Sequence, residues 1–217
     1  MDADRRRPVA DDATTFIRQG IRAVITATPG PAARGAVDGM RKAHYQAVLD
    51  GMGLQTWDRY DADAVHFICF ADGSPVASLR SARDDAVSGE GAATFPDLAS
   101  ALPGGTDEFL YLSRQLVVPE FRGTGLAAVI THVAAAWWRA HSPLEYVLAL
   151  SRESTLDNAR LLGGTVLAGP VFHGPGKEPL VLLGARLPAV AEQTKTLLAG
   201  FGWSMANGPA VSPEASA

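Results

Sequence analysis

The order of apolar and polar positions predicts a chain in which strands and helices alternate. Short runs rich in β-branched and aromatic residues predict strands, and apolar positions three and four residues apart, as at Leu126, Ile130, Val133 and Trp137, predict helices. The predicted strands cover residues 21–28, two runs within 61–82, and residues 108–118, 144–150, 165–173 and 179–187. The predicted helices cover residues 32–52, 94–102, 123–141, 155–164 and 189–202.

The clearest local element is a β-hairpin, because two β-rich runs flank Asp72-Gly73, a dipeptide that suits a tight turn with positive φ. The complete order is strand, helix, hairpin, long strand, helix, strand, helix and two strands. This order predicts a mixed α/β fold with a partly antiparallel central sheet and flanking helices. It lacks the strict βαβ repetition of a doubly wound nucleotide-binding fold.

The two ends of the chain are polar or rich in small residues and proline. We therefore expect residues 1–12 and 204–217 to be disordered and residues 13–203 to form a single domain. The length of 217 residues and the hydrophobic content of 47% suffice for one sizeable core.

Composition narrows the classes of partner. A net charge of -4 gives no support for a nucleic-acid binder, which usually carries a basic patch. The single cysteine, Cys69, fits a reducing compartment, and the apolar run around it indicates a buried core thiol. The sequence shows neither a secretory signal nor an apolar window of about 18 residues, so we expect a cytoplasmic protein without membrane contact.

Residues 117–128, VVPEFRGTGLAA, combine a strand, a glycine-containing turn and the start of a helix. Such a turn presents backbone N–H groups to a phosphate. Gly123, Gly125 and Ala128 match the dinucleotide pattern G-x-G-x-x-A, but residues 119–122 separate the glycines from the strand, and Glu145 lies at the start of the next strand rather than at its end. A connecting loop without any ligand is a further interpretation.

The same stretch resembles the acyl-CoA turn of the GNAT N-acyltransferases, whose pattern is R/Q-x-x-G-x-G/A. The resemblance implies the GNAT fold and acetyl-CoA or a longer acyl-CoA as co-substrate, with no metal. Glycines let the phosphate approach the backbone, and free groups of the preceding strand can pair with the pantetheine arm. The cofactor-binding residues it implies are Leu116, Val117, Val118, Arg122, Gly123, Thr124, Gly125, Leu126, Ala127 and Asn158.

A second resemblance, over residues 41–139, is to the acyl-homoserine-lactone (autoinducer) synthases and N-acyl amino acid synthases. It rests on the D-x-[FY]-D motif at Asp58–Asp61, an arginine ending the second hairpin strand, an R-x-x-x-[FY] motif on a helix, and a serine-arginine pair in the long strand. Arginine forks suit carboxylates. The residues implied to bind substrate, or alternatively to pin the N-terminal loop to the sheet, are Arg41, Tyr45, Trp57, Asp58, Asp61, Arg80 and Arg114.

One position departs from that branch. The autoinducer synthases carry glutamate three residues before the strand arginine, where this chain has Tyr111. This disfavours homoserine-lactone chemistry and leaves acyl transfer intact. Tyr111 is the candidate that protonates the leaving thiolate, and Glu108 is a candidate base, with a solvated strand end as its alternative.

These observations predict an acyl-CoA-dependent N-acyltransferase that acts on a primary amine of a small molecule, such as an amino acid or a natural-product precursor. Three alternatives stay open: a synthase supplied by an acyl carrier protein, a catalytically silent acyl-CoA sensor, and an NAD(P)-dependent oxidoreductase. The oligomeric state is also open, with a homodimer as one alternative.

Overall fold

The computed structural model describes residues 13–52, 55–83, 109–172 and 178–206. Within these residues nine strands form one sheet in the order β7-β8-β6-β5-β4-β3-β2-β1-β9, and every neighbouring pair is antiparallel except β5 and β6. The strands are β1 (Ala13–Arg18), β2 (Ile21–Pro29), β3 (Val65–Ala71), β4 (Ser74–Arg83), β5 (Phe109–Val117), β6 (Tyr146–Arg152), β7 (Thr165–Val171), β8 (Leu180–Arg186) and β9 (Ser204–Met205).

Five helices accompany the sheet in the described part of the chain. They are α1 (Gly30–His44), α2 (Gln46–Met52), α3 (Leu126–His141), α4 (Leu156–Leu161) and α5 (Leu187–Gly200). Both α1 and α3 pack on strands β2 to β4, and α5 packs along α3. No helix described here has both the length and the hydropathy that crossing a bilayer requires.

The predicted mixed α/β class is confirmed, and so is the hairpin. Asp72 and Gly73 have φ values of 50° and 77°, as a two-residue turn with positive φ requires. The helix predicted over residues 32–52 is divided at Tyr45 into α1 and α2. The helix predicted over residues 94–102 lies outside the described residues.

Two edge strands were not predicted. β1 pairs with β2 over its whole length, and β9 pairs Ser204 and Met205 with Ile17 and Phe16. The prediction that disorder begins at Ser204 is therefore wrong for Ser204 and Met205. With two residues, β9 is too short for an alternation of its own, and it gains its hydrogen bonds from the neighbouring edge rather than from local propensity.

Cys69 lies in β3 and is fully buried, as its apolar surroundings predict. Burial raises the pKa of its thiol to about 12, because a thiolate loses its hydration in the core. Cys69 is therefore a core residue rather than a nucleophile.

Two irregularities of β5 shape the site. Ser78 pairs with Leu116, but Arg80 pairs with Ser113, so β5 has one extra residue at this point. Arg114 takes up the bulge with a φ of 52°, which is uncommon for a residue other than glycine. On its other side β5 pairs with β6 only from Phe109–Tyr146 to Leu112–Ala149, and the two parallel strands diverge beyond these pairs.

Candidate active site

A cavity of about 1440 Å³ opens where β5 and β6 diverge. One wall is β5 from Tyr111 to Val117, and the facing wall is β6 from residue 147 to residue 152. The turn before α3 closes one end, and residues from α1, α2 and the loop that follows them line another side. The bulge and the early end of the β5–β6 pairing thus create a space bordered by backbone groups that have no strand partner on that side.

The turn has the geometry of a phosphate site. Gly123 and Gly125 have φ values of 75° and 84°, and α3 begins directly afterwards at Leu126. Among the described residues no backbone hydrogen bond uses the N–H groups of Gly123, Gly125, Leu126 or Ala127. These donors lie at the positive end of the α3 dipole and at the edge of the cavity, where they favour an anion.

Two aromatic residues that sequence reasoning missed support the turn. The indole Nε1 of Trp203 donates to the carbonyl of Thr124 at 2.8 Å. The ring of Phe201 packs so closely on Gly125 that a Cβ at position 125 would collide with it. No local motif predicts these contacts, because both residues follow α5 in the sequence and contact the turn only in the folded chain.

Most of the predicted pantetheine contacts lie along the cavity. Leu116, Val117 and Asn158 line it. Val118 does not, because its side chain is buried in the core and its N–H donates to the carbonyl of Val76 at 3.0 Å. Arg122 is exposed at the turn, and its Nε donates to the carbonyl of Val117 at 3.1 Å.

The predicted substrate residues form one ion-pair network around Asp58. Arg80 Nη1 donates to Asp58 Oδ1 and Oδ2 at 2.8 and 2.9 Å, and Arg114 Nη2 donates to Asp58 Oδ2 at 2.6 Å. Arg114 Nη1 also donates to the carbonyl of Gln55, and Arg80 Nε donates to the hydroxyl of Ser113. The loop that follows α2 is therefore fastened to β4 and β5 through charged groups.

A second ion pair lies behind the first. Arg41 Nη1 is 2.9 Å from both carboxylate oxygens of Asp61 and 2.7 Å from the carbonyl of Thr56. Asp61 in turn accepts the N–H of Asp58, while Asp58 accepts the N–H of Asp61, so the two aspartates form a capping box around one 3₁₀ turn.

The network divides into supporting and cavity-facing residues. Asp58, Arg114 and Tyr45 line the cavity. The cavity wall does not include Trp57, whose ring stacks on His66 with a centroid distance of 5.3 Å. It also does not include the three fully buried residues of the network, Arg41, Asp61 and Arg80. The geometry therefore gives a supporting position to Arg41, Trp57, Asp61 and Arg80.

Among the described residues, this network contains three arginines and two aspartates. Burial raises the pKa of Asp58, but Arg80 and Arg114 outweigh burial and hold this pKa below its ordinary value. Burial lowers the pKa of His66 to about 4, so its ring is neutral near pH 7 and its Nε2 donates to the carbonyl of Asp61 at 3.0 Å.

Of the two catalytic candidates, the described residues include Tyr111. Tyr111 is buried in β5, lines the cavity and lies on the same face as Ser113. Glu108 lies outside the described residues. A third group, Glu178, lines the cavity, accepts the N–H of Ser154 at 2.8 Å and lies 3.4 Å from Arg152.

Glu178 is a weak base. Its hydrogen bond with Ser154, which outweighs partial burial, lowers the pKa of its carboxyl group. Within the described residues no three histidine, cysteine or acidic side chains converge as metal ligands would.

Comparison with known proteins identifies the fold. No protein-family model matches the sequence, and a search of curated proteins finds no match. Solved structures do match. The CoA-dependent acyl-homoserine lactone synthase BjaI, solved with SAM and isopentyl-CoA, superposes with a TM-score of 0.61 at 15% identity over 88% of this chain and 90% of its own.

Two further structures agree. The acyl-homoserine-lactone synthase LasI gives a TM-score of 0.59 at 16% identity over 80% of this chain and 91% of its own. An acyl-CoA N-acyltransferase from Pseudomonas aeruginosa gives 0.56 at 15% identity over 75% and 99%. The chain has the GNAT fold. The GNAT sheet, mostly antiparallel with one splayed parallel pair, is incompatible with the doubly wound sheet that a dinucleotide fingerprint requires, so that alternative is wrong.

Proposed function

We propose that the protein is an N-acyltransferase that moves an acyl group from a CoA thioester to a primary amine. The observation that carries this proposal is the single cavity that joins the splayed ends of β5 and β6 to a turn of unpaired N–H groups. A pantetheine arm is long, bears amide groups and ends in phosphate. The unpaired edges of β5 and β6 complement the amide groups, and the N–H groups of the turn complement the phosphate.

The reaction needs little from the protein beyond placement. The pantetheine amides pair with β5 beyond Leu112, and the pyrophosphate accepts N–H groups of residues 123–127. The amine nitrogen attacks the thioester carbonyl carbon, and a backbone N–H of β5 stabilises the oxyanion. The C–S bond then breaks. An α-amino group has a pKa near 7.7–8.0, so water suffices to take its proton, and Tyr111 supplies a proton to the departing sulfur.

The acceptor amine carries an anionic group. The cavity wall holds Arg114 beside Asp58. The planar fork of a guanidinium suits a carboxylate, so an anionic group of the acceptor finds a charge-assisted donor there. An amino acid combines the amine that reacts with the carboxylate that this environment favours.

S-adenosylmethionine is a poorer acceptor for this cavity. It bears a sulfonium cation in addition to its ammonium group. A carboxylate favours such positive charge, but this chain has Tyr111 where the lactone-forming synthases have glutamate, and a phenol is neutral at pH 7. The counter-candidate for the missing carboxylate is Glu108, three residues before Tyr111 in the sequence.

Thiol release tests the proposal. The purified protein is incubated with acetyl-CoA or longer acyl-CoAs and a panel of amino acids, and free CoA is measured against time. We expect release that depends on one class of amino acid. A matched incubation with S-adenosylmethionine is followed for methylthioadenosine, whose formation together with acyl-homoserine lactone would overturn the choice of acceptor. Binding of acyl-CoA without turnover on any amine would instead identify a sensor.

A further inference from the structure

The cavity extends beyond the turn into a groove between α4 and α5. Val190, Leu197 and Phe201 are spaced by seven and four residues, so they share one side of α5 and its C-terminal end. The other side of the groove is the short helix α4, and Gly163, two residues after its end, lies against α5. The α4 residues that line it are Asn158, Ala159, Leu161 and Leu162.

Phe201 is held rigidly at the junction of this groove with the turn. Its N–H donates to the carbonyl of Leu197 at 2.9 Å, and its own carbonyl accepts Arg18 Nε at 2.7 Å. One part of its ring packs on Gly125, yet the residue remains 39% exposed. Trp203, two residues on, is only 5% exposed. Phe201 therefore presents a fixed aromatic face to the cavity, directly beside the unpaired N–H groups.

We infer that Phe201 and the groove between α4 and α5 bind the adenosine end of CoA, with the adenine against the Phe201 ring. This inference rests on the proposed function. When the pyrophosphate binds at the turn and the pantetheine arm lies between the diverging strands β5 and β6, the adenosine is the part of CoA whose binding surface is not yet assigned. The groove begins at the turn, is apolar, and has an aromatic ring for a base to stack on.

The same geometry identifies the donor as a free CoA thioester rather than an acyl carrier protein. The arm of a carrier protein ends in a phosphate joined to a folded acidic domain, so it has no adenine and would leave the groove empty. Docking of that domain needs basic groups around the turn. The arginines beside the turn are Arg122 and Arg18, whose Nε donates to the carbonyl of Phe201, whereas Arg152 is paired with Glu178 and Arg139 is about 20 Å along α3.

Ligands with and without adenine test the inference. Calorimetry would measure the dissociation constants of CoA and of 4′-phosphopantetheine for the wild type, Phe201→Leu and Phe201→Tyr. Leucine keeps an apolar side chain against Gly125 but removes the stacking face, and tyrosine keeps that face. We expect Phe201→Leu to weaken CoA binding about tenfold and to leave 4′-phosphopantetheine binding unchanged, while Phe201→Tyr stays within about twofold of wild type for both.

Phe172→Leu is the matched control, because Phe172 is 66% exposed at the end of β7 and lies outside the cavity; its affinities should equal those of the wild type. Equal weakening of both ligands by Phe201→Leu would mean that Phe201 only shapes the turn, and an unchanged CoA affinity would place the adenine elsewhere. Either result overturns this inference alone. A wild type that binds neither ligand overturns the proposed function as well.

Discussion

Asp58 links the loop after α2 to the centre of the sheet. Its carboxylate accepts hydrogen bonds from two arginines on neighbouring strands and from the N–H groups of Tyr60 and Asp61. Because the group is largely buried, each arginine offsets a desolvation cost that would otherwise protonate it. Removal of either arginine should therefore lower the free energy of unfolding far more than removal of a surface charge would.

Arg114→Met tests this expectation. Methionine keeps an unbranched apolar stem and the backbone strain at φ 52°, but Asp58 loses one charged donor and the Gln55 carbonyl loses its partner. We expect the free energy of unfolding in urea to fall by about 3 kcal/mol. The control is Arg160→Met, since the Arg160–Asp157 pair is on the surface, and it should change stability by less than about 0.5 kcal/mol. Equal values for the two variants would show that the Arg114 pair contributes nothing.

Tyr111→Phe separates a catalytic from a packing role. The change removes one hydroxyl from a buried position on the cavity wall, so the ring still fills its place in β5. If the phenol protonates the leaving thiolate, kcat for the true amine should fall by at least about tenfold. Affinity for CoA should stay close to wild type. An unchanged kcat would assign the ring to packing and the proton to water.

At the scale of elements, the sequence predicts what depends on local pattern. The hairpin at Asp72-Gly73 and the turn at residues 122–127 follow from glycine positions and flanking runs, and the structure has both. The bulge at Arg114 and the strand β9 could not be predicted, because each is defined by a partner strand rather than by its own residues. The same holds for the site: motifs suggest Asp58 and Arg80, but only the fold shows which of them faces the cavity.

The turn itself can be tested through Gly123. A Cβ on Gly125 would meet the Phe201 ring, so a substitution there disturbs packing as well as binding. A Cβ on Gly123 meets no protein atom within 4 Å and would project into open space. We expect Gly123→Ala to weaken CoA binding at least tenfold in calorimetry, because the methyl group and the positive φ of 75° both oppose the close approach of phosphate.

Gly73→Ala provides the matched control for backbone strain. Gly73 has nearly the same φ, 77°, and equally open surroundings, but it lies in the hairpin turn away from the cavity. Both variants should lose about 1 kcal/mol of unfolding free energy, and only Gly123→Ala should lose affinity. If the two variants bind CoA equally well, the turn is not the phosphate site.

For the molecule as a whole, the buried ionisable groups predict how stability responds to pH. His66 is neutral in the fold, with its pKa lowered by burial to about 4, whereas in the unfolded chain its pKa is near the ordinary value of 6.5. Between these values the unfolded state binds more protons, so stability falls as pH falls. Burial lowers the pKa of His132 as well, and Asp58 adds a further loss below its ordinary value of 3.8.

We therefore expect the free energy of unfolding to decrease from pH 6.5 to pH 4, with His66 contributing up to about 1.4 kcal/mol per pH unit. Urea denaturation at half-unit steps of pH measures this slope. His66→Gln should reduce the slope by that amount, whereas His44→Gln, at an exposed position on α1, should leave it unchanged. A slope that is the same in the wild type and in His66→Gln would contradict the assignment.

The contact between Trp203 and Thr124 joins residues 79 positions apart. Likewise, Phe201 packs on Gly125 and β9 pairs with β1, and both partners are synthesised much earlier. On a ribosome, β1 to β8 and α3 all emerge before residues 201–205 do. A nascent chain can thus assemble most of its sheet while the turn at residues 122–127 still lacks its aromatic support. Competence to hold the acyl donor is then acquired only after residues 201–205 have emerged, and a chain truncated just before Phe201 would fold without acquiring it.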